Sequence, residues 1–129
     1  ARTLGEELLE PTTVYVKPIL DLIAEYDVVG VANISGGGLP ENLPRSMPEN
    51  LDAVIRKGAW PIHPIFDILQ RVGNVAEEEM YNTFNMGIGM AVIVRPEDVD
   101  AAMKRLSKHG INAYVLGELT LGQGQVVFA

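Results

Sequence analysis

The chain has 129 residues, 47% of them apolar, with a formal net charge of −7 and no cysteine. This length predicts one domain with a core of its own, and the apolar content excludes a disordered chain. The acidic balance argues against a nucleic-acid surface. The missing thiols exclude disulfides and cysteine-ligated metal and suit a reducing compartment.

The chain opens Ala1-Arg2-Thr3, with neither an initiator methionine nor a signal-peptide layout, so a processed product or a fragment is expected. Thr3 and Glu6 have capping-box spacing. They predict a short helix with Leu4, Leu8 and Leu9 on one face, stopped by Pro11. A second helix starts around Lys17-Pro18 and carries Ile19, Leu22, Ile23 and Tyr26 at helical spacing. Val28, Val29 and Val31 read as a strand, with Gly30 marking a bulge or close packing. This strand leads through Asn33 and Ser35 into Gly36-Gly37-Gly38. If a helix follows, free N–H groups there could face an anion. A flexible connector is the other reading.

Residues 40–48 hold three prolines and predict a surface loop or lid. Leu51, Ala53 and Ile55 alternate with Asp52, Val54 and Arg56, as in a half-exposed strand. A turn carrying Trp60 follows. Ile65, Phe66, Ile68, Leu69 and Val72 then form an amphipathic helix that Gly73 stops. Asn74 and Glu77 suggest a second capping box. Glu77, Glu78 and Glu79 read as a solvated first turn matched to the helix dipole, because no histidine or second acidic cluster stands nearby to make a metal site.

Residues 86–94 predict a strand with Met86, Ile88, Met90, Val92 and Val94 on one face and Gly87, Gly89 and Ala91 on the other. The bare face is either tightly packed or a smooth wall for a ligand. A helix from Pro96 follows, capped at Gly110, with Lys104, Arg105, Lys108 and His109 in its C-terminal half, where the dipole favours cations. Residues 111–116 read as a strand that residues 117–121 continue or bend. Gly122-Gln123-Gly124 reads as a hairpin turn into a last strand.

This order predicts an α+β domain with helices packed on a mixed, largely antiparallel sheet and a partly ferredoxin-like tail. No dinucleotide fingerprint or P-loop is present. No catalytic constellation is complete. His63 and His109 stand apart without zinc spacing, and Ser35 lacks the Gly-x-Ser-x-Gly setting of a nucleophile. Asn33, Ser35, Asn42 and Arg45 are the polar groups expected beside the glycines. Arg45 can grip a phosphate bidentately or sit in a rim salt bridge, and Asn42 can act as a turn former.

Four blocks carry a family resemblance: residues 3–12 with Tyr15-Val16-Lys17, residues 34–45, Trp60-Pro61 with Ile65 and Phe66, and residues 79–90. Through them the chain resembles, essentially end to end, the C-terminal half of the phosphoribosylformylglycinamidine cyclo-ligases, or aminoimidazole ribonucleotide synthetases. The resemblance implies that residues 1–129 form a single domain of a longer two-domain enzyme. Its N-terminal domain, expected before residue 1, would hold the main ATP and acidic magnesium motifs. It also implies ATP and Mg2+ as cofactors of the full enzyme, held tightly by neither this part alone nor its isolated fold, which should not turn over. The implied reaction closes the imidazole ring of formylglycinamidine ribonucleotide, with phosphorylation activating the amide oxygen and ADP and phosphate released. A cytoplasmic homodimer joined through the N-terminal domains is implied, with no nucleic-acid or membrane partner.

Carried onto this sequence, substrate or phosphate binding falls on Asn33, Ser35, Gly36, Gly37, Gly38, Asn42 and Arg45. The cleft wall falls on Phe84, Asn85, Gly87 and Gly89. No catalytic base and no metal ligand is assigned. The family pattern places His before Ile-Thr-Gly-Gly-Gly, where this chain has Asn33 before Ile34-Ser35. Ser35 keeps the hydroxyl, whereas Asn33 keeps hydrogen bonding without acid–base capacity near neutral pH. Related domains occur in formylglycinamidine ribonucleotide synthetase, selenophosphate synthetase, thiamine-monophosphate kinase and a hydrogenase maturation protein. Residues 39–45 favour the cyclo-ligase. The alternatives are a stand-alone binding or regulatory module of the same fold and an interaction role for the glycine-faced strand.

Overall fold

A computed structural model describes residues 1–129. Six helices and five strands follow in the order α1 (Leu4–Leu8), α2 (Val16–Glu25), β1 (Val28–Asn33), α3 (Gly38–Asn42), β2 (Leu51–Ile55), α4 (Pro64–Gly73), α5 (Glu77–Thr83), β3 (Met90–Val94), α6 (Val99–Lys108), β4 (Gly117–Leu121) and β5 (Val126–Phe128). Short 3-10 turns occupy Leu43–Ser46 and Pro96–Asp98. The class is α+β, with the strands divided between two sheets. β1 and β3 pair antiparallel, and β2 lies between antiparallel β4 and parallel β5. One core joins both sheets: Ala32 and Ala91 from the first meet Ala53 and Ile55 from the second, with Leu39 and Met80 between the layers' helices.

Several local expectations hold. Thr3 Oγ accepts the Glu6 N–H, and the Glu6 carboxylate accepts the Thr3 N–H, completing the capping box. The register of β1 on β3 slips between Val28 and Gly30, as a bulge there requires. Gly110 takes a left-handed conformation behind α6.

Others are corrected. Residues 40–48 are no lid: α3 and the 3-10 turn run through them, and Leu39, Asn42 and Leu43 are buried. The prolines that suggested a loop fall at positions where a missing N–H costs little. Asn74 ends α4 in a left-handed conformation (φ 49°), so it caps the preceding helix, and α5 starts at Glu77 behind Ala76, which gives no side-chain cap. The second capping box therefore does not form.

The expected strand over 86–94 begins only at Met90. Met86 and Gly87 turn through left-handed conformations (φ 53° and 94°). This break shifts the alternation, so Met86, Ile88 and Ala91 all reach the same core. Residues 111–116 form no strand, and the strand is 117–121 itself. The segment expected as a hairpin turn, residues 122–124, instead carries the chain across the start of β2, where the Asp52 carboxylate accepts the Gln123 and Gln125 N–H groups at 2.8 and 3.0 Å. Those two bonds hold its carboxyl below the ordinary carboxylate range. β2 is thus central, and Ala53 and Ile55 are buried rather than half exposed.

Helices α2 and α6 are clamped together. Arg105 donates bidentately to Asp21 at 2.8 and 3.0 Å, and His109 Nε2 lies 2.8 Å from the same carboxylate. These hydrogen bonds, Arg105 first and His109 second, lower the Asp21 pKa from 3.8 to about 2. A depressed carboxylate contributes stability that is present above its unfolded value and lost as pH falls through the folded one. Asp21→Asn is therefore expected to lower stability at neutral pH and to remove part of the wild-type loss between about pH 4 and 2. Urea titrations at pH 7 and pH 2.5 check this: the same midpoint difference between the two proteins at both values would contradict it.

Candidate binding cleft

The C-terminal end of β1, the glycine turn and the α5–β3 connection meet at one edge of the domain. The second and fourth sequence blocks, far apart in the chain, are thereby brought together. Asn33 pairs with Met90 across the first sheet, and the Ile34 N–H donates to the Gly89 carbonyl at 3.0 Å. Beyond the strand the Gly37 N–H donates to the Thr83 carbonyl at 3.4 Å, so the turn lies along the C-terminus of α5.

The three glycines play different parts. Gly38 has φ +63°, and a Cβ on it would strike the Tyr81 carbonyl and sit 2.6 Å from that of Phe84. Only glycine lets α3 start so close to the last carbonyls of α5. Gly37 is also left-handed (φ +97°) and lies under the Glu41 carboxylate. Gly36 is different. It is exposed, its backbone needs no glycine, and nothing stands within 4 Å of the position a Cβ would take.

The expectation of a row of free N–H groups facing an anion is corrected in part. The Gly37 and Gly38 N–H groups are bonded to the Thr83 and Ser35 carbonyls. Those of Ser35 and Gly36 have no acceptor within the protein. Any anion reaching this turn meets Ser35 and Gly36, not the start of α3.

Asn42 is turned inward. It is 5% exposed, and its Nδ2 donates to the carbonyls of Ser35, Gly36 and Gly38 at 3.3, 3.2 and 2.9 Å. It acts on the turn as a clasp, fixing the Ser35-Gly36 peptide from behind, and the turn-former reading describes it better than a ligand contact. Arg45 is exposed and pairs with Glu41 at 2.9 Å across one helical turn. Asn33 and Ser35, just before the glycines, are exposed and carry no side-chain hydrogen bond.

The wall residues are held just as firmly. Trp60 is buried, and its Nε1 donates to the Met86 carbonyl at 2.9 Å, stapling the left-handed corner. Asn85 Oδ1 accepts the Gly87 N–H at 2.9 Å. Phe84 meets Phe66 edge-on at 6.1 Å between ring centroids. The smooth-wall reading holds only in part: the Tyr15 phenol lies over Gly89 and the His63 ring over Gly87. Neither residue was among the expected wall groups. Tyr15 belonged to a recognised block, but nothing local showed that the start of α2 reaches β3. His63 precedes α4 and makes no side-chain cap there.

A cleft of about 280 Å³ opens beside the Met86 corner, lined by His63, Phe66, Asp67 and Gln70 among others, and includes no residue of the glycine turn. No three His, Asp or Glu side chains converge in a way that could hold a metal ion.

These features define an α+β domain with one exposed edge, where a glycine turn braced from behind is set against a stapled corner. The family model for the AIR synthase related protein C-terminal domain matches residues 1–129, and the chain belongs to that family. It is similar to proteins named phosphoribosylformylglycinamidine cyclo-ligase. Identity is 50% with that of Caldicellulosiruptor saccharolyticus over 97% of the chain, and 46% with that of Brevibacillus brevis over 98%. It is 51% with that of Bacillus cereus strain AH187 over 94%. The chain spans only 35–37% of the length of these relatives.

Proposed function

We propose that this chain is the C-terminal domain of a phosphoribosylformylglycinamidine cyclo-ligase and supplies the substrate-facing side of its cleft. The complete enzyme would use ATP and Mg2+ to close the imidazole ring of formylglycinamidine ribonucleotide in purine biosynthesis, as a cytoplasmic homodimer. The observation that carries this reading is the open Gly36 beside the exposed Ser35 and Asn33, braced by Asn42 and by α5. A glycine required neither by backbone nor by packing leaves room for another molecule to approach the main chain. The similarity to proteins of that name supports the choice of substrate.

The residues present do not fit magnesium: no acidic cluster converges, and Glu77 is engaged with Lys57 at 3.4 Å. ATP and the metal are accordingly assigned to the domain expected before residue 1. This domain would bind and orient the ribonucleotide, with the free Ser35 and Gly36 N–H groups, the Ser35 hydroxyl and the Asn33 amide as hydrogen-bonding partners. Asn33 can orient a group but cannot exchange a proton with it at neutral pH, so any proton transfer at this position must come from elsewhere in the complete cleft.

Arg45 is the cationic group on this edge. Its exposed pair with Glu41 is worth about 0–1 kcal/mol, so the guanidinium can exchange that carboxylate for a substrate phosphate at little cost. In the full-length enzyme, Arg45→Ala is expected to raise KM for formylglycinamidine ribonucleotide about tenfold, equivalent to about 1.4 kcal/mol, with the melting temperature unchanged. Steady-state kinetics at varied ribonucleotide and saturating ATP check this. An unaltered KM would remove Arg45 from the site.

A further inference from the structure

The first twenty-three residues carry an apolar surface that the domain itself does not cover. α1 has no buried residue and makes no substantial contact with any other helix or strand. Leu4, Leu8 and Leu9 are all exposed, Leu9 by 83%. On α2 the residues turned to the core are Pro18 and Leu22. Val16, Leu20 and Ile23, at spacings of four and three, form a second stripe that is exposed throughout, with Leu20 at 60%. A five-residue helix lies well below the roughly 12–15 residues needed for marginal stability alone in water. The capping box and Arg2, which pairs with Glu7 and Glu10, are the local contacts that hold it. A preformed helix with an uncovered leucine face is built for a partner.

We propose that α1 and the Val16–Leu20–Ile23 stripe of α2 form the surface on which the preceding domain of the same polypeptide docks. The proposal rests on the reading of this chain as the C-terminal part of a longer enzyme. The matched family model is a C-terminal domain, and the chain spans about a third of its relatives; on that reading the remaining length precedes residue 1. The apolar surface begins at that junction. A domain tethered a few residues away is present at high effective concentration, which favours it over a second copy in solution. Docking there would also brace Tyr15, one residue before α2, over Gly89 of the cleft wall.

The test uses the full-length protein. In the unmodified enzyme, hydrogen exchange read by mass spectrometry is expected to show the residue 7–9 amides exchanging at least ~100-fold more slowly than an unstructured peptide. Exchange at the peptide rate would overturn the proposal. The double variant Leu8→Asp with Leu20→Asp changes only exposed positions. It is expected to lose that protection and to lower the calorimetric midpoint or split the single transition by about 4 °C or more, with sedimentation mass unchanged. A variant whose mass halves would show that a second copy covers the surface, and one that melts like the parent would show that nothing does; either overturns the proposal. Ring-closing activity of the unmodified enzyme is the separate check on the domain assignment, so the two failures are distinguishable.

Discussion

Gly38→Ala is expected to destabilise the domain by about 3–5 kcal/mol, at the upper end of what one substitution does. Two costs combine. The residue sits at φ +63°, where a β-carbon is strained by about 1–2 kcal/mol. The new carbon also drives into the Tyr81 and Phe84 carbonyls, which are backbone and cannot swing aside. Relief requires α3 to move off α5, and that movement would break the Gly37 N–H bond to Thr83 and unseat Leu39, a fully buried side chain. Denaturant unfolding followed by the fluorescence of Trp60, the only tryptophan, measures the loss. A change below ~1 kcal/mol would show that the turn is looser than its contacts indicate.

Two residues away the expectation reverses. Gly36→Val should leave stability within about 0.5 kcal/mol of the parent, since the position is exposed and unstrained. In the full-length enzyme it should lower kcat/KM for the ribonucleotide by about 100-fold, or roughly 2.7 kcal/mol. The valine would stand where the substrate approaches the Ser35 and Gly36 N–H groups. The contrast between the two positions separates a glycine that the fold needs from one that the fold does not. Equal activity of Gly36→Val and parent would leave that glycine without a role.

The helices were legible because their signals are local. The Thr3–Glu6 box, the α4 stripe and the Gly110 cap each need only neighbours in the chain to form. The blocks at residues 34–45 and 79–90 were legible in the sequence, and the Ile34–Gly89 and Gly37–Thr83 bonds bring them together. Features decided by distant partners could not be read. The Trp60 bond to the Met86 carbonyl spans 26 residues and cuts the expected strand short. Asp52 organises residues 123–125 from more than seventy residues away and turns an expected hairpin into a crossing over β2. Asn42 looked like a ligand group because its inward clasp depends on where the glycine carbonyls point.

The resemblance and the structure divide the work between them. Sequence similarity supports the proposed substrate, while the geometry leaves the Asn33 and Ser35 side chains and Gly36 without an internal partner and Arg45 in one exposed pair with Glu41. Gly38, Asn42 and Trp60 are spent on holding that edge in shape.

The most direct measurement is a coupled assay of the full-length protein that contains this chain, supplied with formylglycinamidine ribonucleotide, ATP and Mg2+, following ADP release and aminoimidazole ribonucleotide together. Equal amounts of both products are expected, with ADP release that depends on the ribonucleotide. ADP release without aminoimidazole ribonucleotide, or no turnover by a folded full-length protein, would contradict the proposed function.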